Sequence, residues 1–112
     1  MSTYTLLTNT TAKRLQTLAQ LYQQGQTSEL IDRTVDKLLA HEAEACRAQL
    51  EQLQRDLVEF EQKYGFSSAE FYQQFQAGQT DDRMDYVEWA SLVQMTANLQ
   101  YRLQLLTGEV EA

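Results

Sequence analysis

From Leu39 to Tyr64 the apolar positions recur at alternating spacings of four and three, through Leu39, Ala43, Cys46, Leu50, Leu53, Leu57, Phe60 and Tyr64. This is an uninterrupted heptad seam, and a helix carrying one must pack it against another helix. A second seam runs through Trp89, Leu92, Thr96, Leu99, Leu103 and Leu106, within a helix predicted over Asp82 to Thr107. Between the two, Ser67 and Glu70 form a capping box, with Phe66 and Phe71 at the positions of a hydrophobic staple. The short helix starting there carries Phe71 and Phe75 one turn apart, stops before Gly78 and yields to the polar turn Gln79-Thr80-Asp81-Asp82. Both seams are buried most simply by an antiparallel hairpin: one helix out, the Phe-rich helix at the corner, the last helix back.

Upstream, the period changes. Thr3-Tyr4-Thr5-Leu6-Leu7-Thr8 is β-branched and aromatic and predicts a short strand. Asn9 or Thr10 then caps a helix with Leu15, Leu18, Ala19 and Tyr22 at three-four spacing, and Gly25 is placed to end it. Thr27 and Ser28 offer the next N-cap, with Glu29 at the positive end of the helix dipole, and no breaker follows until Gly65. The chain has no proline. The expected fold is mainly α: a short N-terminal strand plus two helices over residues 1–45, then a long-helix antiparallel hairpin over residues 46–112.

Charge narrows the partners. The net charge is −7; before Cys46, Lys13, Arg14, Arg33 and Lys37 stand against five carboxylates, and after it five basic residues stand against eleven acidic ones. Such a field repels phosphate backbones and suits a basic protein. Cys46 is the only cysteine, which excludes an internal disulfide and fits a reducing compartment. The start has no basic n-region, and no stretch approaches the ~20 apolar residues of a membrane span, so a cytoplasmic protein without membrane contact is expected.

Little here suits catalysis. His41, the only histidine, and Cys46 lie five residues apart on different faces of one helix, so neither a triad nor a zinc site assembles. No glycine-rich phosphate loop is present. The cluster Asp81, Asp82, Asp85 and Glu88 reads as first-turn capping rather than a cation loop. The expectation is a non-enzyme without cofactor or metal. Tyr64, Phe66, Phe71, Tyr72, Phe75, Tyr86 and Trp89 concentrate around the corner of the hairpin. They form either a small core at its tip or an anchor site for a partner that the neighbouring carboxylates select as basic.

Strand, helix, glycine turn and helix, with Thr27-Ser28-Glu29-Leu30-Ile31-Asp32-Arg33 opening the second helix, resemble a ribbon-helix-helix protein over about residues 3 to 45. The stretch Lys63 to Tyr72, with Met84-Asp85-Tyr86-Val87-Glu88-Trp89-Ala90, resembles the C-terminal region of small prokaryotic proteins encoded beside toxins. The resemblance implies a homodimeric antitoxin that represses its own operon through a strand ribbon in the DNA major groove and covers a toxin, often a ribonuclease, with its remaining segment. The implied toxin-facing residues are Phe71, Tyr72, Phe75, Asp82, Asp85, Tyr86, Glu88 and Trp89. Those implied for DNA are Thr3, Thr5 and Leu7 on the ribbon, with Lys13 and Arg14 for phosphates. The chain departs from that pattern in one respect: neither phase of the strand turns arginine, lysine or asparagine outward to read bases. Two other functions compete, a helical assembly or scaffold protein with no toxin, and a stand-alone transcriptional regulator.

Overall fold

The computed structural model describes the backbone of residues 3–109 and the side chains of residues 10–109. Four helices follow one another: α1 (Thr3–Gln23), α2 (Glu29–Tyr64), α3 (Ser68–Gln76) and α4 (Met84–Thr107). They divide into two compact units, residues 1–37 and residues 38–112.

Mainly α holds, but the N-terminal strand does not form. Residues 3–8 are the opening turns of α1, and the described residues contain no strand. A β-branched run gives up only tenths of a kcal/mol per residue on entering a helix, whereas extending an existing helix adds a backbone hydrogen bond per residue without a new nucleus. No glycine or proline stands between Thr3 and Gln23 to stop that extension, and a strand has no neighbour here to satisfy its backbone. The ribbon-helix-helix architecture falls with the strand.

In the first unit α1 ends where Gly25 adopts φ +83°, with Gln26 N–H donating to Leu21 O (2.9 Å) and Gly25 N–H to Tyr22 O (3.0 Å). That is a Schellman closure, which a residue with a Cβ resists. Tyr22 then braces the turn: its hydroxyl lies 2.6 Å from Asp32 Oδ1 and 2.9 Å from Ser28 O, and it accepts the Ser28 N–H at 3.2 Å.

In the second unit α2 and α4 run antiparallel. Arg102 pairs with Glu42 (3.0 Å), the Cys46 thiol donates to Leu99 O (3.2 Å), and Lys63 pairs with Asp85 (2.7 Å), so rising numbers on one helix meet falling numbers on the other. The α2 seam faces inward there: Ala43, Cys46, Leu50 and Leu53 are buried, and Leu57, Phe60 and Tyr64 pack against the cluster at the tip. Small side chains at 43 and 46 leave room for the close approach that the thiol contact records. At the corner, the Ser67 hydroxyl accepts the Glu70 N–H (3.1 Å), and Phe66 meets Phe71 edge to face at 6.2 Å. The box and the staple fix how the chain enters α3. α4 begins at Met84, two residues after the sequence-based start. The Asp81 carboxylate takes both the Arg83 N–H (3.1 Å) and its guanidinium (2.7 and 2.8 Å), closing a turn that holds Asp82 outside the helix.

Candidate functional site

Trp89 organises the tip of the hairpin. Its ring stacks face to face on Phe71 of α3, centroids 4.0 Å apart, while Phe60 and Tyr64 of α2 lie nearly parallel to it at 5.6 and 5.8 Å. Phe66 closes from the edge at 5.3 Å. The one polar atom of the indole is satisfied, since Nε1–H donates to Ser68 Oγ at 2.9 Å. Phe71 and Trp89 are the two fully buried large side chains among the described residues, and no buried side-chain nitrogen or oxygen there lacks a partner.

A polar rim surrounds this core. Asp85 Oδ2 accepts from the Tyr64 hydroxyl (2.5 Å) and from Lys63 (2.7 Å). The Lys63 ammonium, then the Tyr64 hydroxyl, hold the Asp85 carboxyl below the usual carboxylate range; in turn each group's own hydrogen bond to Asp85 is the main cause raising the Tyr64 phenol and the Lys63 ammonium. The Arg83 guanidinium, doubly bonded to Asp81, lowers that carboxyl to about 2 and lies over the Tyr86 ring at 4.5 Å. The Gln94 amide donates to the Tyr72 hydroxyl at 3.1 Å.

These placements sort the residues the sequence singled out. Phe71, Tyr72, Phe75, Tyr86 and Trp89 come together as one aromatic cluster. Phe71 and Trp89 are fully buried inside it. Tyr72, Phe75 and Tyr86 are half-buried, Asp85 is engaged by Lys63 and Tyr64, and Asp82 and Glu88 are exposed. Lys13 and Arg14 are exposed on α1. Thr3, Thr5 and Leu7, expected on a DNA-reading ribbon, have helical backbone instead, and their side chains lie outside the described residues. His41 is exposed. No group of three or more His, Cys, Asp or Glu side chains that could hold a metal ion occurs among the described residues, and no described helix is long and apolar enough to cross a membrane.

α4 carries a second apolar face. Beyond the seam that meets α2, the helix presents Met84, Val87, Met95, Tyr101 and Leu105 to solvent, Met84 being 78% and Met95 50% exposed. With Ser91 and Asn98 these positions recur at three-four spacing and form a second stripe about 31 Å long at 1.5 Å per residue. The signal lay in the sequence, but the stronger seam beginning at Trp89 already accounted for a helix there. Residues 38–112 as a whole carry thirteen carboxylates against five basic side chains, of which Asp85, Glu88 and Arg102 are on α4 itself.

No protein-family model, curated protein or solved structure matches the chain.

Proposed function

We propose that the chain is a cytoplasmic, antitoxin-type binding protein whose acidic helical hairpin covers a small basic protein, with the outward stripe of α4 as the contact surface. One observation carries this reading: an exposed apolar stripe on a helix that is already packed on its other side, set in a unit with a large acidic excess. Apolar side chains supply the contact area, methionines at 84 and 95 adapt to an irregular partner, and the acidic excess of the whole unit favours a basic partner and speeds its approach. Enzymes acting on nucleic acid commonly present basic side chains to the phosphate backbone. A toxin ribonuclease therefore fits the chemistry. Blockade is steric and electrostatic, with no reaction performed by this chain.

The test begins with a tagged full-length chain recovered from its host and the co-purifying proteins identified by mass spectrometry. The captured protein is then expressed alone and together with the chain. A small basic protein that arrests growth alone and is silenced by co-expression, but not by a Val87→Gln/Met95→Gln variant, is the expected result. A captured protein without effect on growth, or silencing that ignores the stripe, overturns the assignment.

A further inference from the structure

The first unit has an apolar groove that its described side chains leave open. Leu15, Leu18, Ala19 and Tyr22 of α1 form one wall, Ile31 and Val35 of α2 the other, enclosing about 550 Å³. Leu15 is 59% exposed, and none of the described side chains from residue 10 to 37 is buried. Two helices of this size cannot exclude water from their facing surfaces by themselves.

Charge selects what covers them. α1 carries Lys13 and Arg14 and no carboxylate, whereas the charged residues lining the groove from α2 are Asp32 and Asp36. Lys13 falls on the far face of α1, but Arg14 flanks the Leu15 wall and opposes a uniformly basic partner, while the two lining aspartates oppose a uniformly acidic one. A second copy of the same unit offers both signs in the same arrangement. Under two-fold symmetry the basic helix of each copy meets the acidic wall of the other, the self-complementary condition of an isologous interface. Residues 1–37 are also nearly balanced, four basic against three acidic, while the rest of the chain repels its like.

We infer that the groove between α1 and the start of α2 is a self-association surface whose occupant is the same groove of a second copy of this chain, with Leu15 and Val35 at its centre and Arg14 meeting Asp36 of the other copy across it. This inference stands apart from the hairpin's partner: a chain that fails to pair can still bind through α4, and a chain that pairs need not.

The test is sedimentation equilibrium of the full chain. The expected species has twice the 13.0 kDa chain mass. Leu15→Glu raises its dissociation constant by about tenfold or more; Arg14→Glu weakens pairing at low salt, and adding Asp36→Arg restores it. Trp89 fluorescence, reporting from the second unit, stays unchanged in every variant and shows that the hairpin is folded. A wild-type chain of 13.0 kDa at all concentrations, or a dimer indifferent to Leu15→Glu, overturns the inference. Failure of the double charge swap to restore pairing overturns the Arg14–Asp36 contact.

Discussion

At the scale of single residues, the tip of the hairpin separates two ways of losing stability. Trp89→Ala removes a fully buried indole from between three helices and is expected to cost about 3–5 kcal/mol. Ser68→Ala leaves the indole in place but strips its N–H of a partner, costing about 1–3 kcal/mol. Urea unfolding followed by far-ultraviolet circular dichroism measures both, and Trp89, the only tryptophan, adds a fluorescence readout for the second. Protonation acts at the same place. Asp85 and Asp81 have folded values below the ordinary carboxylate range, so between those values and about 4 the unfolded chain binds more protons than the folded one. The stabilisation from these carboxylates is therefore complete above that range and fades as pH falls through their folded values, about 2 for Asp81. Tyr64 and Lys63, both raised, act in the opposite sense, losing their contribution as pH climbs through their folded values. Unfolding midpoints measured from pH 2 to 6 should fall with acid in the wild type and fall less steeply in Asp85→Asn.

At the scale of the helices, the hairpin depends on one seam and on the turns at its corner. Leu50 is buried midway along the α2 seam, and Leu50→Ala is expected to cost about 2–5 kcal/mol. Exposed Val58→Ala on the same helix should change stability by no more than about 0.5 kcal/mol. Gly65 ends α2 at φ +78° with open space around the position of a Cβ, so Gly65→Ala meets backbone strain alone, about 1 kcal/mol. Equal losses at 50 and 58 would mean that the seam is not where α4 packs. The second unit is thus held by a long-range helix pairing, whereas α1 and the start of α2 are joined by a turn and the Tyr22 brace and leave every described side chain there at most partly buried.

At the scale of the whole molecule, the charge is divided unevenly, and the two proposed surfaces follow that division. As proposed, the acidic unit would take a basic partner along α4 and the balanced unit its own copy. Salt should discriminate the two. Screening shortens the reach of the acidic field, so association with a basic partner slows markedly as ionic strength rises. Self-pairing through the groove, resting on apolar contact with one charge pair per side, should change little over the same range. Stopped-flow association rates for the captured partner and sedimentation of the chain alone, each across a salt series, make the comparison. Partner association that ignores salt would remove the charge argument from the α4 assignment.

What the sequence determined by itself was whatever depends on local periodicity and local chemistry. The seams, the Ser67 cap with its Phe66–Phe71 staple and the stop at Gly25 are each encoded by neighbouring residues one turn apart, and they stand where they were expected, except that the first seam packs from Ala43 and leaves Leu39 exposed. What only the tertiary structure decided was whatever depends on a distant neighbour. Thr3 to Thr8 suits a strand in composition, but a strand requires another strand beside it, and without one the segment continues the helix behind it. The aromatic cluster could serve as core or anchor until α2, α3 and α4 were seen to close over Phe71 and Trp89. α4, apolar on two faces, offered no local reason to prefer one. Burial against α2 consumed the face containing Trp89 and left the stripe from Met84 to Leu105 in solvent, because a helix in a hairpin can turn only one face to its neighbour.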